Sequence, residues 1–288
     1  MKNPGKIDLH MHTNVSDGTD TPEEIFARVK AAGFGLFSIT DHDAVKAAGI
    51  IPGLREEGDP LFLSGAEFSC KDEEGKYHIL GYGFDPEAGA VKDLVDLGHS
   101  YRMNKVRARL KFLTDEFGFT FPQEELDKLF AMDNPGKPHI ANLMVKLGYV
   151  KTKEIGIRNY INKLLIRTQY VRPEEAISGI LGGGGIPVLA HPAYGSGDQL
   201  ILGEEMEERL KRLMDFGLQG VEAYYSGFPK RIREEMLGFA KRFGLYVTAG
   251  SDYHGRNKLV VLGDNGLDDA ADGPDGLQRF LEAVSDRV

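Results

Sequence analysis

Seven short β-rich runs, several of them separated by a helical pattern, constrain this chain more than any other feature. They are Lys6–Leu9, Leu36–Thr40, Leu61–Gly65, Tyr77–Tyr82, Pro187–Ala190, Gly220–Ala223 and Leu245–Ala249. The intervening helices carry their own start and stop signals. Thr21-Pro-Glu-Glu reads as an N-cap with proline in the first turn, and Gly33 stops that helix. Glu204–Phe216 and Lys230–Phe243 stop at Gly217 and Gly244, a residue type that tolerates the left-handed turn after a helix. Strands alternating with helices predict βαβ units and a mostly parallel sheet. Seven strands point to barrel-like closure rather than an open dinucleotide-binding sheet. At 288 residues the chain has the size of a single α/β barrel.

Residues 99–172 break this rhythm. Tyr101–Glu116, Gln123–Ala131, Ile140–Leu147 and Asn159–Leu165 look helical, with no strong strand among them. An all-helical insertion in an α/β barrel most simply becomes a cap over the loop face. The expected division is therefore a barrel of residues 1–98 and 173–288 with a cap of residues 99–172. Charge follows the same division: the cap has 14 Lys and Arg against 7 Asp and Glu, the remainder 21 against 37, in a chain of net charge −9. That balance argues against a dedicated duplex-DNA binder with a wholly basic surface. A basic segment in an acidic protein suggests an anionic partner, the plainer alternative being a solvated helical face. Phe112, Phe117, Phe119, Phe121 and Phe130 predict the cap's own core, with base stacking as the alternative role for one of them.

Other features exclude more than they suggest. Gly182–Gly185 lies between a helical pattern, Pro173–Leu181, and a strand, the reverse of a phosphate-cradling loop, and reads as a flexible connection. Gly263–Gly276 reads as an acidic surface loop before a last short helix. Cys70 is the only cysteine, which excludes an intrachain disulfide and a cysteine-rich zinc site. No run approaches the ~18 apolar residues of a spanning helix, and the polar opening lacks a signal peptide's apolar region. A cytoplasmic protein without a membrane partner is the expectation.

The histidines carry the chemistry. Of eight, six fall in or near predicted strand ends: His10 and His12 in Asp8-Leu-His-Met-His, His42 in Thr40-Asp-His-Asp, His78, His191 and His254. Asp17, Glu67 and Asp252 lie close to the same ends. A barrel gathers the C-terminal ends of its strands at one mouth, so topology alone would bring these residues together. Imidazoles and carboxylates at such a mouth suit zinc, manganese or iron. Singly, each histidine could be a core or surface residue, and His-x-His alone is a weak motif. Asp8, Asp41 and Asp43 could brace metal-bound imidazoles from behind, while Asp43 could equally cap the following helix.

Asp8-Leu-His-Met-His-Thr-Asn-Val-Ser-Asp-Gly, Ile39-Thr-Asp-His-Asp, Gly65-Ala-Glu, Val188-Leu-Ala-His-Pro and Gly250-Ser-Asp-Tyr-His resemble, in order, the blocks of the PHP-domain (polymerase and histidinol phosphatase) phosphoesterases. The resemblance implies a distorted (β/α)7 barrel holding two or three divalent ions, manganese above all, with iron or zinc as the other choices. It implies metal ligands at His10, His12, Asp17, His42, Glu67, His78, His191, Asp252 and His254, with Glu67 bridging two ions. Glu67, His191, Asp252 and His254 are then the residues expected at the reacting centre. Lys137 and His139, in Asn134-Pro-Gly-Lys-Pro-His, resemble the family's cap-region phosphate contacts. Arg102 and Arg107 on the first cap helix, Arg172 after the cap, and Tyr224 and Ser226 after the sixth strand are further candidates for substrate contact.

Such a site would be net positive, since three divalent ions outweigh three carboxylates. It predicts in-line attack on phosphorus by a metal-bridging hydroxide. The expected substrate is a small anionic phosphorylated metabolite: a nucleotide 3′,5′-bisphosphate, a sugar bisphosphate or a cyclic phosphate. The alternatives are a 5′–3′ exonuclease on short oligonucleotides and a histidinol-phosphate phosphatase. More remote are an amidohydrolase and a metal-binding module without turnover.

Overall fold

Backbone pairing divides the strands between two sheets. The computed structural model describes residues 3–164, 169–195 and 199–288. Among these, β1 (Lys6–Asp8), β2 (Phe34–Phe37) and β3 (Leu61–Phe62) form a parallel sheet in that order. The second sheet runs β4 (Gly65–Lys71), β5 (Lys76–Tyr82), β6 (Ile186–Leu189), β7 (Gly220–Tyr225) and β8 (Tyr246–Gly250). Here β5 is antiparallel to both β4 and β6, whereas β6, β7 and β8 are parallel. The expectation of a mostly parallel arrangement fails at β5 for a local reason. Asp72 Oδ1 accepts from the Glu74 and Gly75 amides, closing a tight turn that reverses the chain without a crossover helix. The expected strand Leu61–Gly65 also divides, ending at Phe62 and resuming at Gly65. Glu67 therefore sits inside β4, opposite Leu80, rather than at a strand end.

Isolated backbone bonds join the two sheets. At one seam the Leu9 amide donates to Ala249 O (2.9 Å) and the Asp252 amide to His10 O (2.8 Å). At the other, the Asp43 amide donates to Glu67 O (2.9 Å) and the Glu67 amide to Asp41 O (3.2 Å). Both seams tie the segments that follow β1 and β2 to the second sheet. Residues expected at the mouth are thus pinned by backbone, not left on free loops.

Helices fill the gaps as their boundary residues dictate. In α1 (Pro22–Ala31), Thr21 Oγ1 accepts from the Glu24 amide and the Glu24 carboxylate accepts from the Thr21 amide, satisfying two otherwise unpaired donors. The short α2 (Lys46–Ile50) follows His42. Between the two parts of the second sheet lie α3 (Gly89–Phe117), α4 (Gln123–Phe130), α5 (Lys137–Lys146), α6 (Lys153–Asn159) and α7 (Pro173–Gly182). Then come α8 (Gly203–Asp215), α9 (Lys230–Phe243) and α10 (Asp275–Ala283). Gly217 and Gly244 follow α8 and α9 with φ of +104° and +67°, as their positions required.

The helix expected from Tyr101 begins at Gly89, so position 99 lies inside α3. This 29-residue helix passes through two cores. Val91 and Leu94 belong to one buried cluster with Phe68, Tyr82, Ile180 and Phe280, while Val106, Leu110 and Leu113 belong to another with Leu129, Ile140 and Met144. Phe117, Phe119, Phe121 and Phe130 line the second cluster, and Phe112 meets Phe117 edge to face. The helix expected at Ile140 begins at Lys137. The one expected over Asn159–Leu165 is instead the end of α6 and a 3₁₀ turn at Ile161–Lys163, with Leu165 outside the described residues. The glycines at 182–185 do connect α7 to β6, but they are packed rather than loose: a Cβ on Gly183 would lie 2.4 Å from Val91 Cγ2. Likewise 263–276 is no simple surface loop, since Asn265 is buried and its Nδ2 donates to Ile7 O (2.9 Å).

Candidate metal centre

The segment after β1 places His10 and His12 two residues apart in extended chain, both fully buried. Their Nε2 atoms are 3.1 Å apart. Glu67 Oε2 lies 3.4 Å from the first and 3.2 Å from the second, and Asp252 Oδ1 lies 3.6 and 3.4 Å away. On the other side of Glu67, Oε1 is 2.7 Å from His78 Nδ1 and 3.1 Å from His191 Nε2. His42 Nδ1 approaches Glu67 Oε2 to 3.1 Å. Asp17 lies beyond, with Oδ1 3.2 Å from His254 Nε2 and 3.8 Å from His12 Nδ1, and Oδ2 3.9 Å from His42 Nε2. The fold brings all nine of these residues to one place.

Three sets of donors could each hold an ion, their atoms within 4.8 Å of one another: His10, His12 and Glu67; His42, Glu67 and His78; His12, Asp17, His42 and His254. A neutral imidazole has one lone-pair nitrogen and one N–H, so His12 and His42 can each serve only one of their two sets at a time. The donor chemistry fits divalent cations. His42 Nδ1 and Asp17 Oδ1 are buried with no hydrogen-bond partner among the described residues, although both face other acceptors. Lone pairs converging without protons between them are costly unless a cation occupies the gap.

Electrostatics agrees with that reading. Burial opposes charge on every group, yet His78, His42 and His10 hold Glu67 well below the usual carboxylate range. His10, His12 and Lys258 do the same for Asp252. His42, His254 and His12 lower Asp17. In return, Asp252, Glu67 and Asp17 overcome burial and raise His12 to about 10. Burial, aided by His12 and His78, pushes His42 down to about 3. Such a cluster holds protons where cations would sit, so loading it must release them.

What supports the imidazoles differs from expectation. Asp8 accepts from the Ser251 amide (2.9 Å) and hydroxyl (2.6 Å), and Asp41 from the Thr13 amide (2.7 Å) and the Thr13 and Ser16 hydroxyls (both 2.6 Å). Both brace the loops, not the rings. Asp43 caps no helix either; it accepts from Arg102 Nη2 (2.5 Å) and the Ser69 amide (3.0 Å). The carboxylate that orients a ring is Glu222, fully buried in β7. Its Oε1 pairs with His10 Nδ1 (2.9 Å), turning Nε2 inward, and its Oε2 accepts from the His191 amide (2.7 Å). An acidic residue in an otherwise apolar strand, Gly-Val-Glu-Ala-Tyr, was the signal available in the sequence.

Backbone strain gathers at this place. Among the described residues, three non-glycine residues have positive φ in the left-handed range: Asp43 (+50°), His191 (+27°) and Asp252 (+58°). Gly250 precedes them in contact terms: a Cβ there would lie 2.2 Å from His10 Cβ.

Beside the cluster opens a cavity of about 260 Å³. Asp17 and His78 form its inner end, and Arg102, Lys137 and His139 line it as expected. His139 Nδ1 accepts from the Gly136 amide (3.0 Å), leaving Nε2 as the N–H nitrogen. Lys76, Lys105, Arg109, Asn134 and Tyr170 also line it and were not anticipated. The remaining candidates lie elsewhere. Arg107 is exposed, 5.4 Å over the Phe130 ring. Arg172 pairs with Glu73 and Glu174 on the outside. Tyr224 points to Arg233, because a bulge between Glu222 and Tyr224 inserts one residue into the alternation. Tyr225 takes its place, donating to Asp252 Oδ2 (2.8 Å), with Lys258 on the same oxygen. Ser226 is half-buried in the turn after β7.

The PHP domain profile matches residues 8–282. A 3′,5′-nucleoside bisphosphate phosphatase from Chromobacterium violaceum is 31% identical over 86% of this chain and 87% of its own. A 5′-3′ exoribonuclease from Haemophilus influenzae is 25% identical over 90% and 94%. The solved structure of a protein assigned as a metal-dependent phosphoesterase, from Bifidobacterium adolescentis, superposes with a TM-score of 0.81 at 27% identity, covering 98% of both chains.

Proposed function

The chain belongs to the PHP-domain family and is a metal-dependent phosphoric ester hydrolase, and on that premise we propose that it removes phosphate from a small bisphosphorylated metabolite, a nucleoside 3′,5′-bisphosphate being the leading substrate. One observation carries this reading: a cavity walled by cations opens directly onto a converging set of imidazoles and carboxylates. In this reading His10, His12, Asp17, His42, Glu67, His78, His191, Asp252 and His254 hold two or three divalent ions, manganese first. When bound, such ions polarise phosphoryl oxygens and make water nucleophilic near neutral pH.

The chain's own residues position the ester. Arg102, anchored by Asp43 through Nη2, presents a guanidinium at the cavity wall that suits a phosphoryl oxygen. His139 donates from Nε2, since Nδ1 is engaged by Gly136. Lys137, in the first turn of α5, adds charge from above. Asn134 ties this cap segment to the mouth by donating to His42 O. Glu222, Tyr225 and Lys258 keep His10 and Asp252 from turning away. At the level of the fold, the two sheets and their seams form a distorted barrel of the (β/α)7 kind, and residues 99–172 form its cap. No helix of the described residues is long and apolar enough to cross a membrane.

The relative from Haemophilus influenzae favours a short 5′-phosphorylated RNA as the second reading. Phosphate release decides between them. Monophosphates, nucleoside and sugar bisphosphates, cyclic phosphates and a short RNA are each incubated with manganese and with chelator. Chelator-sensitive release, fastest from a bisphosphate, is expected. Mononucleotides from RNA with no phosphate from any small ester would replace this reading with the exonuclease.

A further inference from the structure

The three sets of converging donors are not held alike. His10 is fixed from behind by Glu222, and Glu67 and His78 sit in the β4–β5 ladder. Asp17 and His254 belong only to the four-residue set with His12 and His42, and both lie outside the strands and helices. His254 Nδ1 faces Asp252 O (2.9 Å) and therefore carries its proton, which turns the Nε2 lone pair to Asp17 Oδ1 at 3.2 Å. Among the described residues, the Asp17 carboxylate approaches only His12, His42 and His254, so no side chain outside the set holds it. What holds Asp17 is its main chain. Asn257 Nδ2 donates to Asp17 O (2.8 Å).

Asn257 reaches that carbonyl because the turn Gly255–Asn257 is laid directly on the loop that carries Asp17. Gly255 has a φ of +63°, and a Cβ on it would lie 2.0 Å from Thr19 Oγ1. The Arg256 amide donates to the same Thr19 Oγ1 (3.0 Å), and Lys258 pairs with Asp252 on the far side of the turn. Lys153 then decides which way the Asn257 amide faces. From the first turn of α6, its Nζ donates to Asn257 Oδ1 (3.0 Å). An ammonium has donors and no acceptor, so it takes the amide oxygen and leaves the NH2 for the Asp17 carbonyl, which can only accept. With the amide reversed, oxygen would face oxygen at Asp17 and NH2 would face ammonium at Lys153. The start of α6 is itself seated on α5, where a Cβ on Gly156 would lie 3.3 Å from Ala141 Cβ. Residues 99–172 thus reach the four-residue set by a relay that bypasses the cavity wall.

We infer that Asn257 is a positioning residue for Asp17, its amide aimed by Lys153, and that this relay sets the affinity of the ion at His12, Asp17, His42 and His254 without acting on the others. This rests on the reading that the imidazoles and carboxylates hold divalent ions, and it adds two residues that touch neither ion nor ester. Releasing the Asp17 carbonyl frees the turn that carries it, and a carboxylate held by no other side chain then no longer converges with the rings. Charge alone predicts the opposite at Lys153, because removing a cation near a cation site tightens that site. The sign of the Lys153 effect therefore separates positioning from simple electrostatics.

The test titrates manganese into chelator-stripped, dialysed protein by calorimetry, with bound and free ion counted by electron paramagnetic resonance. Wild type is compared with Asn257→Ala, Lys153→Met, Lys153→Arg and the double variant Asn257→Ala/Lys153→Met. Asn257 is exposed and Lys153→Met keeps the apolar stem, so these chains are expected to fold as wild type does, which a melt of each checks. Asn257→Ala is expected to weaken one bound ion at least about threefold and to leave the remaining ions within about twofold, as the loss of one hydrogen bond requires. Lys153→Met should weaken the same ion, and Lys153→Arg, also a donor without an acceptor, should restore it. The double variant should be no weaker than Asn257→Ala alone, since Lys153 acts through Asn257. Tighter binding in Lys153→Met, additive losses in the double variant, equal weakening of every ion, or no weakening in either single variant would each overturn the relay while leaving the metal reading in place. A wild type that binds no manganese would overturn the metal reading and the relay with it.

Discussion

Glu67 turns its two carboxylate oxygens to different imidazoles, Oε2 to His10, His12 and His42 and Oε1 to His78 and His191. Glu67→Gln keeps this shape and removes the charge that holds the two halves together. Turnover is expected to fall by at least about a hundredfold with melting shifted by only a few degrees; near-wild-type turnover at unchanged metal content would show that no charge is needed between the two sets of imidazoles. Lys105 makes a different prediction, this time about pH. Because burial pushes it down to about 7, it is charged below that pH and increasingly neutral above it in the free protein. The ratio of kcat/KM for a bisphosphate over a monophosphate should therefore fall between pH 6 and 8. Lys105→Arg, which keeps its charge throughout, should flatten that profile. A wild-type ratio independent of pH would show that Lys105 contributes no charge to selection.

Elements explain why such residues meet. The end of β8 can approach His10 so closely only because Gly250 has no side chain. Gly250→Ala drives a methyl into His10 Cβ and is expected to cost about 1–3 kcal/mol. Metal content should drop with it, because the displaced ring is one of the converging donors. A melt and a metal analysis of the purified variant check both; full metal loading at wild-type stability would mean that β8 has slack. The bulge in β7 acts at the same scale. Period-2 alternation from Glu222 selects Tyr224 as the next inward residue, and the inserted residue gives that position to Tyr225 instead. In α3 one continuous helix joins the core under the sheet to the core of the basic segment, so its cationic face is rigidly placed over the mouth.

The whole molecule carries its charge in two parts, acidic outside residues 99–172 and basic within them. The field of that basic part falls on the cavity, where an anion is wanted. The donor cluster has a global consequence as well. Ions that bind the folded state alone stabilise it by about 2.7 kcal/mol at a hundredfold excess over Kd. At about 2 °C or more per kcal/mol for a chain of this size, chelation should lower Tm by about 5 °C. Manganese should restore it, and an unchanged Tm on chelation would argue that the cluster holds no ion. The reverse experiment, titrating manganese into chelated protein, should release protons as the imidazoles and carboxylates give them up.

Local pattern was enough to name the nine converging residues, since each lies in or close to a short β-rich run, and the order of His, Asp and Glu blocks narrowed the family further; that Glu67 and His78 join them from inside β4 and the antiparallel β5, not from shared strand ends, was not legible there. Helix ends were legible for the same local reason: Thr21, Pro22, Gly217 and Gly244 act within a turn of themselves. The excess of positive charge in residues 99–172 was visible because charge is additive along a sequence. What local pattern could not decide was which side of an element faces what. Glu222 rather than Asp8 or Asp41 holds an imidazole, Tyr225 replaces Tyr224, and Lys105 and Arg109 rather than Arg107 and Arg172 line the cavity. Each of those choices depends on a bulge, a seam or a helix rotation set by packing between residues far apart in the chain, and only the folded backbone brings those residues within reach of one another.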